Sequence, residues 1–206
     1  MLKEVINKTL KQVQNSSSNI IDIMPGIGMR FFQIHDALAY FQLYNHPLVK
    51  KYIPHDMIPK DIRQSSAQIH NLFLNGRNIP YWAIVLKESN QLIGSCGFVS
   101  SDFHNKRLEL AYDLHPNHWH KGIVHHCLIH CIKHAFEIMH IKRLEAITLQ
   151  TNVESIKVLE KLSFTHEGTL RSYKFFCGKM VDVESFSFTF EDYQKIYSQN
   201  QAVSRT

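Results

Sequence analysis

No hydrophobic run in the 206-residue sequence is long enough to span a membrane, and the N-terminus has no apolar stretch of the signal-peptide type. We therefore expect a cytoplasmic protein without a membrane partner. The chain also lacks a basic run, because its 23 Lys and Arg, set against 18 Asp and Glu, are spread along the sequence. This argues against a nucleic-acid partner. The formal charge of +5 instead suits an anionic cofactor.

Cysteine is scarce as well. The four cysteines have no C-x-x-C spacing of the kind found in zinc and redox motifs; they are Cys96, Cys127, Cys131 and Cys177. Three of them fall in apolar-periodic segments. We therefore expect buried thiols in a reducing compartment.

The apolar content of 44% over 206 residues fits one compact domain that buries about 70% of its unfolded surface. We assign residues 21–206 to this domain and residues 1–20 to a helical extension. Apolar residues at helical spacing in residues 2–13, followed by a polar break at residues 15–19, favour such a helix. It is expected to dock on the domain or on a partner subunit, in a monomer or homodimer.

Hydrophobic periodicity predicts alternating strands and helices along the rest of the chain. The predicted strands are residues 27–34, 81–86, 92–99, 109–114, 143–149 and 183–190. The predicted helices are residues 36–45, 61–74, 122–139 and 156–162. Residues 87–91 and 100–106 are predicted turns, the first of them inside a hairpin.

The most informative junction is the stretch E-L-A-Y-D-L-H-P-N-H-W-H-K-G-I-V, residues 109–124. Its period changes from 2 to 3.6 across the turn that begins at Pro116. A glycine at a helix start lets several backbone N–H groups converge, and the positive helix end adds to their attraction for an anion. Gly122 with Lys121 beside it therefore predicts a pyrophosphate site, although many such turns hold no ligand.

This run resembles the E-[IL]-G-Y-x-L-x-P-x-x-W-G-x-G-Y pattern of the GNAT acyltransferase superfamily, and within it the RimJ/RimL-type N-acetyltransferases. Further on, N-V-E-S-I-K-V-L-E-K-L-S-F from Asn152 to Phe164 resembles the family's N-x-x-S-x-x-V-L-E-K-L-G-F. The I-G-S-C-G-F strand and the E-G-T-L-R segment extend the resemblance from about Met29 to Phe190. It implies an α+β fold with a mixed, mostly antiparallel sheet, helices on both faces, and a splay between strands 109–114 and 143–149.

The resemblance implies an acetyl-CoA-dependent N-acetyltransferase acting on a primary amine, either a protein N-terminus such as that of a ribosomal protein or a small amine. An acyl-CoA-binding or interaction module without turnover is the alternative. The resemblance also implies a set of cofactor-binding residues: Tyr112, Leu114, Trp119, His120, Lys121, Gly122, Ile123, Val124, Asn152 and Ser155. Asn152 can equally act as a helix N-cap.

Direct acyl transfer needs a base for the amine and a proton for the departing thiolate. Leu159 stands where many relatives carry a tyrosine that protonates the leaving thiolate. In RimL-type enzymes the serine of the N-x-x-S motif has this role, so the resemblance implies Ser155 as the general acid. The resemblance also implies the base: Glu109 lies on the central strand at a position that the family often uses, and would act directly or through water. Lys174 occupies the place of a carboxylate that some RimL-type enzymes carry. An acyl-cysteine route is not expected, because no Cys has a His at a recognisable spacing.

Four positions depart from the family pattern. His120, Ala111 and Ser163 replace glycines, and Val124 replaces a small residue. A non-glycine at position 120 is strained if the turn requires a positive φ, although His is among the residues enriched there and its ring can donate to phosphate.

Three histidines, His126, His130 and His134, repeat every four residues on one predicted helix. Two such residues can share a metal ion. The apolar residues of the helix lie on its other side, so we interpret these histidines as a solvated face and expect no metal site.

Overall fold

The computed structural model describes residues 20–75 and 79–198. One sheet of eight strands forms the framework, in the order β1-β2-β3-β4-β5-β6-β8-β7. The strands are β1 (Ile21–Met24), β2 (Ile27–Phe31), β3 (Tyr81–Leu86), β4 (Leu92–Asp102), β5 (Arg107–Leu114), β6 (Arg143–Leu149), β7 (Thr165–Phe176) and β8 (Lys179–Thr189). The predicted N-terminal helix, residues 2–13, lies outside the described residues.

Helices cover both faces of this sheet. They are α1 (Ala37–Asn45), α2 (Pro47–Lys50), α3 (Ile62–Asn75), α4 (Ile123–Lys133) with a π-helical turn (His134–Ile138), α5 (Val153–Lys161) and α6 (Phe190–Tyr193). Every neighbouring strand pair is antiparallel except β5 and β6, which are parallel. The predicted α+β fold is confirmed. None of the helices in the described ranges is both long and apolar enough to cross a bilayer.

Strand β5 contributes to both hydrophobic cores. Leu108, Leu110 and Leu114 pack with α4 and α5, whereas Ala111 packs with α1 and α3 on the other face. The alternation in this strand predicted one apolar and one polar face. Because helices cover both faces, Asp113 is buried as well.

The bounds of several strands differ from the predictions. β2 ends at Phe31 instead of Ile34, because the carboxylate of Asp36 accepts two 2.8 Å hydrogen bonds from Arg30 and one from the backbone of Gln33, which folds the chain into a 3-10 turn. β4 runs through the predicted turn at residues 100–102. Strands β1 and β7 were not predicted, and β8 starts four residues earlier than expected.

The predicted environment of the cysteines is partly wrong. Cys96, Cys127 and Cys131 are buried free thiols, as expected, but Cys177 is exposed. It lies in the β7–β8 turn, with its Sγ 3.5 Å from Nε2 of His55.

The predicted solvated face of α4 also needs correction. His130 and His134 are half-buried, and both rings pack edge-on against the ring of Trp82. The centroid of the Trp82 ring lies 5.6 Å from that of His130 and 5.2 Å from that of His134. Burial lowers the pKa of both histidines. Among the described residues no group of three or more His, Cys, Asp or Glu is arranged to hold a metal ion.

Two of the family's glycine positions adopt the left-handed conformation in this chain. His120 has φ 59° and Ser163 has φ 64°, whereas Ala111 is not among the positive-φ residues. Ser163 follows α5 in a Schellman motif, in which Phe164 N–H donates to Leu159 O and Ser163 N–H donates to Glu160 O.

We predict opposite effects of glycine at two of these positions. Ser163→Gly should raise the free energy of unfolding by about 0.5–1 kcal/mol, because the left-handed strain that glycine removes is larger than the conformational entropy that glycine costs on folding. Ala111→Gly, the matched control in an ordinary strand conformation, should lower it by about 0.5–1 kcal/mol. Urea unfolding of both variants measures these effects. Destabilisation by Ser163→Gly would contradict the conformational argument.

Candidate functional site

The site forms where the sheet opens between β5 and β6. These strands pair only at Arg107–Arg143, Leu108–Leu144 and Glu109–Glu145. β6 stays paired with β8 as far as Leu149, and β5 stays paired with β4 as far as Leu114. The edge of β5 beyond Glu109 therefore faces a gap with backbone groups that β6 does not satisfy.

A first cavity of about 620 Å³ opens between this part of β5, the N-terminus of α4 and the N-terminus of α5. All ten predicted cofactor-binding residues line it. Lys51 and Lys161 line it as well, so that with Lys121 three lysines outnumber the two carboxylates of its wall, Asp113 and Glu154. The structure therefore brings together predicted cofactor-binding residues that are up to 43 positions apart in the sequence, as Tyr112 and Ser155 are.

The turn before α4 has the geometry of an anion site. Gly122 is the N-cap of the helix with φ 73°, and no side chain caps the helix there. The N–H groups of the first turn therefore remain available to a ligand. Lys121 Nζ donates to Asn117 O at 2.9 Å, and Trp119 Nε1 donates to Leu114 O at 2.7 Å, which ties the turn to the end of β5. This donor set fits the phosphates of a coenzyme A ester.

Asn152 caps α5, since its Oδ1 accepts a 3.3 Å hydrogen bond from Ser155 N–H. The cap turns the first residues of α5 toward β5. As a result the hydroxyls of Ser155 and Tyr112 are 2.6 Å apart, across the splay. Burial raises the pKa of Tyr112 well above its usual range, so its hydroxyl keeps its proton. No signal in the sequence predicts this contact, because it depends on how α5 packs on β5.

A second cavity, of about 310 Å³, lies on the α1 side of the splay. Its charged lining residues are Glu109, Asp113 and Lys174. The two spaces adjoin, since six residues line both: Tyr52, Ile53, Tyr112, Asp113, Asn152 and Ser155. The hydroxyl pair of Tyr112 and Ser155 is part of this shared boundary.

Glu109 is half-buried in the second cavity. Burial raises the pKa of its carboxyl group; the positive charge of Lys174 opposes this effect and the negative charge of Glu145 adds to it. A carboxylate with a raised pKa is a better proton acceptor than an exposed one. The sequence could not distinguish this position from an exposed strand residue.

The contact between Cys177 and His55 does not belong to the site. Neither residue is among those that line the two cavities. An acyl-cysteine route through this pair therefore has no support in the structure.

Comparisons with known proteins agree with this geometry. A family model, the acetyltransferase (GNAT) domain, matches residues 27–165. An uncharacterized N-acetyltransferase, p20 of Bacillus licheniformis, is 35% identical over 169 residues, which cover 80% of this chain and 93% of that protein.

Solved structures share the fold. RimL, a ribosomal L7/L12 alpha-N-protein acetyltransferase in complex with coenzyme A, matches with a TM-score of 0.76 and 18% identity, over 84% of this chain and 99% of the other. The microcin C7 self-immunity acetyltransferase MccE, in complex with acetyl-CoA and AMP, matches with a TM-score of 0.74 and 21% identity, over 85% and 98%.

We predict that charge at Gly122 weakens acetyl-CoA binding. Gly122→Asp should raise the Kd at least about tenfold above that of Gly122→Ala, because both variants place a side chain at this left-handed position and only one places a carboxylate beside the phosphates. A Cβ at this position meets only the ring of His126, at 3.7 Å, so either side chain has space. Titration calorimetry measures both values. Equal affinities in two folded variants would show that the phosphates bind elsewhere.

Proposed function

Since the chain belongs to the GNAT acetyltransferase family and uses acetyl-CoA, we propose that it transfers the acetyl group directly to a primary amine. One observation carries this proposal: two cavities adjoin at the hydroxyl pair of Tyr112 and Ser155. One cavity has the lining expected for the cofactor, and the other leaves room for an acceptor. Direct transfer requires both molecules to be present at one point.

Acetyl-CoA would occupy the first cavity, with its phosphates at the N-terminus of α4 and its pantetheine arm along the unpaired edge of β5. When bound, it supplies an activated acetyl group as a thioester, whose transfer to an amine releases a thiol. Lys121 and the amides that follow Gly122 hold the anionic end. Backbone groups of β5 beyond Glu109 orient the arm.

Ser155 holds a proton where the two cavities adjoin. The single hydroxyl hydrogen of Tyr112 has two acceptors within reach, Ser155 Oγ at 2.6 Å and Ser155 O at 3.2 Å, and we assign it to the nearer Oγ. The hydroxyl hydrogen of Ser155 is then free to point into the cavity, toward the leaving sulfur. Because Tyr112 stays protonated, it can support this orientation throughout the neutral pH range.

Glu109 takes the proton of the amine, directly or through water. Its carboxylate lies in the acceptor cavity, and burial gives it a raised pKa. The base must be deprotonated to act, so activity should fall as the pH falls through the pKa of Glu109.

The acceptor is a protein N-terminal α-amine or a small amine. The RimL neighbour supports the first of these, since that enzyme is a ribosomal L7/L12 alpha-N-protein acetyltransferase. The cytoplasm is the proposed setting, because the buried cysteines are free thiols, as in a reducing compartment.

We predict acetyl-CoA-dependent acetylation of at least one member of a panel of N-terminal peptides and small primary amines. Mass spectrometry of the products measures it, and a matched panel of N-acetylated acceptors is the control. If acetyl-CoA binds but no member is acetylated, the chain is a binding module without turnover.

We predict that Ser155→Ala and Glu109→Gln each lower kcat about 10²–10⁴-fold, the usual loss for a general acid or base. The Kd of acetyl-CoA should change far less. Glu109→Gln should also remove the fall of kcat at low pH that the titration of Glu109 causes in the wild type. Steady-state kinetics with the acceptor found in the panel measure these effects.

Glu145→Gln is the matched control for Glu109. Glu145 lies opposite Glu109 on β6 but does not line the acceptor cavity. Its removal should leave kcat within about twofold and shift the acid limb to lower pH, because a like charge that raises the pKa of Glu109 is lost. Wild-type turnover in both Ser155→Ala and Glu109→Gln would leave positioning as the source of catalysis.

A further inference from the structure

Asp113 is a buried carboxylate without a cationic partner. Three carboxylate side chains are buried in the described part of the chain: Asp36, Asp113 and Glu184. Asp36 pairs with Arg30 at 2.8 Å, and Glu184 lies 2.5 Å from Nε2 of His166. Asp113 forms no ion pair with a described residue, although an isolated buried charge is costly.

Hydroxyl groups satisfy only one of its two oxygens. Asp113 Oδ2 accepts hydrogen bonds from Tyr44 at 2.9 Å and from Ser95 at 2.6 Å. Ser95 Oγ is in turn 3.2 Å from the hydroxyl of Tyr81. Asp113 Oδ1 is buried and has no hydrogen-bond partner among the described residues. Asp113 Oδ1 can therefore accept a hydrogen bond from one further donor.

The surroundings of Asp113 suit a positive charge. Asp113 lines both cavities, and the second of them is also lined by Tyr44, Tyr52 and Tyr81. Tyrosine rings attract cations through their faces. Burial raises the pKa of Asp113 to about 6, so that its carboxylate is mostly charged at neutral pH.

We propose that Asp113 Oδ1 binds the ammonium group of the acceptor, so that the enzyme selects compact amines that arrive protonated. This inference rests on the proposed function, since it assigns the second cavity to the acceptor. Asp113 is here a specificity-determining residue, and proton removal stays with Glu109 on the same face of β5. A cavity of about 310 Å³ admits a small amine or the first residue of a peptide.

The test compares ligands of different charge, two of which, 2-phenylethylamine and 2-phenylethanol, have nearly the same shape. 2-Phenylethylamine and phenylalaninamide, a mimic of a peptide N-terminus, are titrated into the protein saturated with coenzyme A, alongside the neutral 2-phenylethanol. Ligand-observed NMR gives each Kd. We expect the wild type to bind at least one ammonium ligand about 10- to 100-fold more tightly than the alcohol, as for a hydrogen bond to a charged group. The ammonium ligand with the lower Kd shows whether the cavity prefers a small amine or a peptide N-terminus.

The variant Asp113→Asn keeps the shape of the side chain and should abolish this preference. Glu109→Gln is the matched control, because it removes the other carboxylate of the cavity and should leave the preference in place. Equal binding of amines and alcohol by the wild type, no binding of any probe, or a preference lost in Glu109→Gln would each overturn the proposal. The comparison of the wild type with Glu109→Gln tests the proposal even if Asp113→Asn does not fold.

This experiment measures binding and not turnover. If the wild type acetylates amines but binds the ammonium ligands no more tightly than the alcohol, only the role of Asp113 is overturned. A wild type that prefers the ammonium ligands but acetylates no member of the panel would support the role of Asp113 and contradict the proposed reaction.

Discussion

The loss of pairing between β5 and β6 after Glu109 is the constraint on which the rest of the site depends. Both strands stay bound to their outer neighbours, so the sheet as a whole remains intact while its centre opens. β4 has an irregularity in register between Phe98 and Ser100, next to the point where the gap begins. Backbone groups that would otherwise complete a ladder become available to a ligand, and two cavities gain a common boundary.

Charge is distributed unevenly across that boundary. Around the first cavity three lysines, Lys51, Lys121 and Lys161, outnumber the carboxylates of Asp113 and Glu154, which suits phosphates. Around the second cavity Glu109 and Asp113 outnumber Lys174. The two faces of β5 contribute to this difference, since its odd-numbered residues face α1 and its even-numbered residues face α4 and α5. A single strand thus positions groups for both substrates. The tyrosine and serine hydroxyls lie between the two charged environments.

Local pattern was enough to predict the strand, turn and helix from Glu109 onward and the N-cap at Asn152. These features depend on residues close together in the sequence. The short strand β1 and the extension of β4 were not predicted, although each pairs with the next strand along the chain, β1 with β2 and the end of β4 with the start of β5. The packing of His130 and His134 on Trp82 could not be predicted, because contacts between distant segments decide it. For the same reason the sequence did not show that Asp113 would be buried among hydroxyl groups, or that Tyr112 would meet Ser155.

A crystal structure with acetyl-CoA tests the central claim most directly. The account predicts phosphates at the N-terminus of α4, the pantetheine arm along β5 beyond Glu109, and the thioester sulfur within hydrogen-bond distance of Ser155 Oγ. A cofactor bound outside the gap between β5 and β6, or a thioester remote from Ser155, would contradict it.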